Sequence, residues 1–304
     1  MSAPANQVAN KSLVEKIADA VLYEGYILYP YRPSAVKNQQ RWNFGVLCPE
    51  SYAFAQRGTE CSTMQTECLL EADSRTTVDV RVRFLHLRLR DSWQEAVERE
   101  VVLPRIKIAG FSSPERVKFD FPGSDEETQH AVSGEVEISA VTAVKSVLKL
   151  SVVIRNLTTF GAANMRSRDD ALLHSFVSTH TILEAQQGAF VSLLDTPDEY
   201  KAAASQCVNT GTFPVLVGDE DQRAWLLSSP IILYDYPQIA PQSAGDLFDA
   251  TEIDEILTLR IMSLTDDEKR EMRGAGELAR RLLERTESLS PVQLMNLHGL
   301  MKKV

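Results

Sequence analysis

Residues 76–90, TTVDVRVRFLHLRLR, constrain the fold more than any other stretch of this chain. Side chains of an extended strand alternate between two faces, so Val78, Val80, Val82 and Phe84 share one of them. From Leu85 onward the apolar residues (Leu85, Leu87, Leu89) continue on the opposite parity. A β-bulge, or a strand bending between two sheets, is therefore expected at Phe84–Leu85. If that bulge keeps the apolar face inward, Arg81, Arg83, His86, Arg88 and Arg90 all point outward. Such a basic ladder either pairs across strands, with Glu135 and Glu137 or Glu98 and Glu100, or receives an anionic partner.

The same period recurs from about residue 44 to 234. MQTECLLEA around Cys68 reads as a strand; Val136, Ile138 and Ala140 alternate with Glu135 and Glu137; VLKLSVVIRNL (147–157), 176–194 and 213–217 follow. Pro214 places the last of these at a sheet edge, because proline cannot donate to a ladder. DEYKAAASQC (198–207) fits a short helix between strands. There is no regular strand–helix–strand rhythm and no internal repeat. The expected fold is α+β: a mainly antiparallel β-sandwich or distorted barrel, with an N-terminal helix and a C-terminal helical appendage.

Three regions follow from this pattern. Residues 1–11 read as a disordered tail. Residues 12–240 form the body, opening on a helix capped by Ser12 with Glu15 at the capping-box position and a stripe of Leu13, Ile17, Val21 and Leu22. Residues 241–304 form the appendage. In it, Asp249 or Thr251 starts one helix and Thr265 with Glu268 starts a second. Ser290-Pro291 begins a third, proline being tolerated at a first helical position. Gly274 and Gly276 weaken the second helix by ~1 kcal/mol each relative to alanine.

Charge and cysteine usage narrow the function classes. The formal net charge is −10, which opposes non-specific binding to nucleic acid or anionic lipid. No apolar run approaches the roughly 18 residues a spanning helix needs. MSAPANQVANKS lacks a basic region followed by an apolar core, so a cytoplasmic protein is expected. The 4 cysteines are too scattered for a disulfide scaffold, and Cys48, Cys61 and Cys68 match no standard zinc spacing. The 5 histidines are dispersed; His174 and His180 share parity on the strand-like HSFVSTH, ~20 Å apart, too far for one metal. No nucleophile elbow, HExxH or phosphate loop occurs.

Two surfaces stand out. YEGYILYPYRPSAVKNQQRW (23–42) interleaves aromatics with Arg32, Lys37 and Arg41. Stacked bases or a protein partner would both suit it, and the acidic charge favours the protein. The second runs from Ser228 to Arg260 and carries Asp235, Asp246, Asp249, Glu252, Asp254 and Glu255. Helix capping accounts for Asp249 and Glu252; it does not account for Tyr234, Asp235 and Tyr236. The candidate partner-binding residues are thus Tyr29, Tyr31, Arg32, Arg41, Trp42, Tyr234, Asp235 and Tyr236. The expected partner is a protein, a second copy of the chain included, with no nucleic acid, membrane, cofactor or metal. A competing possibility is a thiol- or metal-dependent enzyme whose site gathers Cys68, His180 and Asp235 in space.

YEGYILYPYRPSAVKNQQRWNFG (23–45) and SSPIILYDYPQIAPQSAGDLFDATEIDEILTLR (228–260) resemble uncharacterised accessory proteins encoded beside nickel–iron hydrogenase genes. The likeness extends over most of the chain, through LMNLHG (294–299). The resemblance implies a cytosolic role in assembling or maturing a metalloenzyme, and it carries over no catalytic motif.

Overall fold

A computed structural model describes residues 5–23, 42–90, 93–108, 110, 111, 113–124, 128–161, 167–220, 222–238, 264–274, 280, 283, 284, 287 and 288. The chain divides into two compact units, one of residues 1–22 with 44–238 and one of residues 23–43 with 239–304. Residues 23–43, read from the sequence with the body, therefore group with the C-terminal unit.

The first unit is built on one long strand. After helices α1 (Ala5–Tyr23) and α2 (Glu50–Ala55), β1 runs from Thr63 to Arg90. The alternating segments around Cys68 and Val80 are one element. It is followed by β2 (Trp93–Lys107), β3 (Glu115–Phe121), β4 (Val132–Val144) and β5 (Val147–Asn156), then α3 (Arg168–Leu172) and β6 (Val177–Val191). A 3-10 turn at Asp198–Tyr200 leads into α4 (Lys201–Ala204), where a short helix was expected, before β7 (Phe213–Val217) and β8 (Trp225–Ser229). All pairings are antiparallel, in the order β3-β4-β5-β1-β6-β8-β7, with β2 also on β1. The sheet does not close, so the architecture is the sandwich-like member of the two expected forms.

β1 turns a corner to make two layers. Its first part, Thr63–Glu71, lies against β5, and its second part, Thr77–Arg90, against β2. Between them the register against β6 jumps from Ala72↔Gly188 to Thr77↔Gln186, so β1 carries extra residues at the bend. Side chains hold this bulge: Asp73 N–H donates to Thr76 Oγ1 (2.9 Å), Arg75 N–H to Asp73 Oδ1 (2.7 Å), and Thr76 Oγ1 to Gln187 O (2.6 Å). Met64, Cys68, Leu70, Val78, Val80, Val82 and Phe84 all line the main core despite the bend. Phe84 is its centre, with ring centroids 4.5, 6.0 and 5.7 Å from Phe176, Phe119 and Phe121. Gly134 on β4 makes room for this stack: a Cβ there would lie 2.8 Å from Phe176 Cζ and 2.9 Å from Arg155 O.

The irregularity expected at Phe84–Leu85 is present in the pairing of β1 with β6, whose register shifts between Arg83 and Leu85. The extra residue is on β6 at Ser178, whose φ is +53°, while the pairing of β1 with β2 is continuous from Val80 to Arg90. The parity switch arises because both faces are buried there: Phe84 and His86 on one side, Leu85 and Leu87 on the other.

α1 covers the outer face of the β6-β8-β7 half. Val14, Ile17, Ala18 and Val21, spaced i, i+3, i+4, i+7, pack on Ile182, Val215, Val217, Trp225 and Leu227. It begins at Ala5, so residues 5–11 are helical rather than a disordered tail, and Ser12 lies inside the helix instead of capping it. Asn10 shows why: its side chain is buried, accepts from Asp219 N–H (3.1 Å) and donates to Gln222 Oε1 (3.2 Å), anchoring the helix to the β7–β8 turn.

In the second unit, α5 (Asp266–Gly274) carries the capping box expected at Thr265: Thr265 N–H donates to Glu268 Oε2 (2.8 Å) and Glu268 N–H to Thr265 Oγ1 (3.3 Å). Met272 and Leu283 are buried, and Glu287 bridges Lys269 and Arg273 at 3.4 and 2.8 Å. The helices expected from Asp249 or Thr251 and from Ser290 lie outside the described residues.

Candidate functional site

The Tyr234–Tyr236 patch is a clamp on an edge strand. β7 is a sheet edge, as Pro214 predicts, and its outward polar groups at Leu216 are taken. Asp235 Oδ1 accepts from Leu216 N–H (2.7 Å), and Tyr236 N–H donates to Leu216 O (2.7 Å). Asp235 Oδ2 also accepts from Ser192 Oγ (2.5 Å), at the end of β6. Ser192 Oγ in turn accepts from Leu194 and Asp195 N–H groups. The carboxylate thus closes a strand edge that would otherwise offer free hydrogen bonds. Tyr236, at φ +56°, packs on the main core. Tyr234 faces solvent at 83% exposure, and Ile232 at 72%.

Strand register separates two of the three residues of the enzyme possibility, Cys68 and His180. Cys68 adjoins Leu69, which pairs with Val191, whereas His180 pairs with Arg83 near the other end of the same two strands. Eleven residues of β6 separate the two levels, on the order of 30 Å. Cys68 is fully buried, and burial pushes its thiol up; burial likewise carries Cys48 up to about 12 and Cys207 up to about 11. A thiolate nucleophile is disfavoured at all three positions. Among the described residues, no group of three or more His, Cys, Asp or Glu side chains could hold a metal ion.

Trp42 is 4% exposed with φ +63°, so its ring fills interior space rather than a free surface. Tyr29, Tyr31, Arg32 and Arg41 lie outside the described residues.

The basic ladder splits into two polar layers on opposite faces of β1. On the α1 face, Arg83 donates to Asp19 (2.7 Å) and Glu98 (3.4 Å), and Arg81 to Glu15 (2.5 Å) and Glu100 (3.5 Å). Cross-strand pairing with Glu98 and Glu100 is thus realised, with α1 adding two acids. Glu135 and Glu137 pair with Arg155 and Arg116 instead. Burial outweighs pairing at Asp19, whose carboxyl is raised. At Arg83 burial works downward, yet the bonds to Asp19 and Glu98 carry the guanidinium up and keep it charged. His180 shares this layer: its Nδ1–H donates to Ser178 O (3.0 Å), and burial lowers it to about 3.

On the core face, three histidines that are dispersed in sequence meet. His86 Nε2–H donates to His130 O (2.8 Å), and Arg99 Nε–H donates to His86 Nδ1 (3.4 Å). Arg99 also reaches Gln129 Oε1 (3.3 Å) and lies 5.1 Å over the Phe121 ring. Gln129 Nε2–H returns to His86 O (3.4 Å). The His130 and His174 rings stack at 4.3 Å, with Phe160 5.0 Å from His174. His174 belongs to the turn after α3 rather than to β6, so it does not share a strand face with His180. Burial lowers both His86 and His174 to about 4. Spacing could not reveal this group, since each neighbour is 44 residues away; only the in-phase position of His86 with Phe84 hints that it points inward.

No protein-family model matches this sequence, and no curated protein matches it either.

Proposed function

We propose that this protein is a non-enzymatic interaction or assembly factor acting on a protein partner. The single observation carrying the reading is Tyr234 with Ile232: two large apolar side chains held in solvent on a backbone pinned to β7 by Asp235 and Tyr236. A rigidly presented, exposed tyrosine costs little ordering entropy on docking, which is how interface anchors work. The resemblance to accessory proteins of nickel–iron hydrogenase gene clusters supplies the partner class, a metalloenzyme subunit met in the cytoplasm.

Tagged full-length protein purified from its native host should retain a stoichiometric partner, and Tyr234→Ala with Ile232→Asp should cut the recovered amount by about tenfold or more. Recovery of no partner, or equal recovery by the double variant, rejects the reading. A stoichiometric transition metal in anaerobically purified protein, lost on Cys68→Ser, would favour the metal-dependent enzyme.

A further inference from the structure

We propose that one water molecule is bound inside the sandwich, between Thr181 of β6 and the hydroxyl pair of Ser228 (β8) and Thr212. Strand parity places these groups on the inner face. Thr66 shares it with Met64 and Cys68, Thr181 with Leu183 and Ala185, and Ser228 with Leu226, all of which line the main core. Thr66, Thr181, Thr212 and Ser228 are themselves buried, at 1, 0, 1 and 0% exposure.

The hydroxyl hydrogens there outnumber their acceptors. Thr66 Oγ1–H donates to Ser228 Oγ (2.7 Å), and a second bond of 2.7 Å joins Ser228 Oγ to Thr212 Oγ1. Two bonds use two of the three hydrogens. If Ser228 donates to Thr212, the Thr212 hydrogen is left over; if Thr212 donates to Ser228, the Ser228 hydrogen is. Either way, one buried O–H has no acceptor among the described residues. Beside it, Thr181 Oγ1 is fully buried and makes no hydrogen bond among them. Thr181 pairs with Ser228 across β6 and β8, so the two side chains stand on one face with Cβ atoms about 5 Å apart, yet their hydroxyls are not bonded.

A hydroxyl in an apolar core is costly unless it is hydrogen-bonded. One water answers both groups: its oxygen accepts the left-over hydrogen, and one of its own hydrogens goes to Thr181 Oγ1. It then has the two polar partners that a buried water requires. The ligand matched here is neutral, because the groups are all hydroxyls and Val82 is the residue that pairs with Thr181 from β1. Thr66 lies on the first part of β1, before the corner, whereas Ser228 and Thr181 lie on β8 and β6. The hydrated chain from Thr66 through Ser228 to Thr181 thus ties the two layers together from inside.

Thr181→Val in the full chain tests this, since it exchanges the hydroxyl for a methyl of the same shape. With the water bound, the unfolding constant should rise about five- to thirtyfold in urea denaturation. A hydroxyl without a partner would leave that constant unchanged or lower it. Oxygen-17 relaxation dispersion counts the waters that tumble with the protein, and the variant should hold one fewer than the wild type. A variant as stable as the wild type overturns the proposal. An equal water count does so too, even with stability lost, because it would mean a direct bond from Thr181 to Ser228. Should Thr181→Val fail to fold, a crystal structure of the wild-type protein decides. A water within about 3.2 Å of Thr181 Oγ1 and of the Ser228 or Thr212 hydroxyl supports the site; a direct hydroxyl contact, or no water between them, overturns it.

Discussion

Arg83 and His86 lie three residues apart on β1, and both are almost fully buried. They solve the problem of a polar group in the interior by opposite means. Arg83 keeps its charge and gathers acids from α1 and β2, at the cost of raising Asp19. His86 gives up its charge and satisfies both ring nitrogens as a neutral molecule. A buried neutral imidazole loses stability as pH falls below about 6.5, because the unfolded ring takes up a proton that the buried ring resists.

The largest effect should come from the residue between the two layers. Phe84→Ala empties the aromatic centre and should cost about 3–5 kcal/mol in urea denaturation. A smaller loss would mean that the layers, and not the core, carry the corner of β1.

Acid comes next. His86, His174 and His180 are lowered in the folded state, so between their folded values and about 6.5 the unfolded chain binds more protons. Stability is therefore full above about pH 6.5 and declines as pH falls toward 4, on the order of 3 kcal/mol for one fully buried ring. Denaturation midpoints across pH 7 to 4 measure it, and His180→Gln should remove only the share of the α1 face. An unchanged slope in that variant would place the whole dependence on the His86 side.

Arg83→Met should cost about 2–3 kcal/mol by the same assay, reduced from a fully buried pair because Asp19 and Glu98 are half exposed. Adding Asp19→Asn should recover part of it, and no recovery would show that α1 does not share the charge. Away from both layers, Asp235→Ala should cost about 1–2 kcal/mol by leaving Leu216 N–H without its partner at the β7 edge. Faster exchange of the Leu216 amide is the direct readout; an unchanged rate would show that the clamp is dispensable.

Legibility in the sequence followed the range of the interactions. Thr265 and Glu268 were readable because a capping box lies within one turn. Pro214 announced an edge through a missing donor. The parity switch at Phe84–Leu85 was visible but its cause was not, since a bulge and a doubly buried segment give the same pattern. Asp235, read from the sequence as part of a polar–aromatic patch, serves a backbone amide, which no side-chain pattern encodes. The helical start at Ala5 was missed because its anchor, Asn10, depends on Gln222 and Asp219 far along the chain.

What the sequence determined alone is whatever period and local chemistry can specify: a β-rich antiparallel body, its helices and one sheet edge. Which face of β1 would hold charge and which would hold neutral histidines was decided only by the tertiary structure. The physical reason is register. Once β1 bends at 73–76 and pairs with β2 and β6, Arg83 is carried under the acids of α1, and His86 is carried to a carbonyl of the β3–β4 connection. Neither partner can be inferred without the pairing that brings them together.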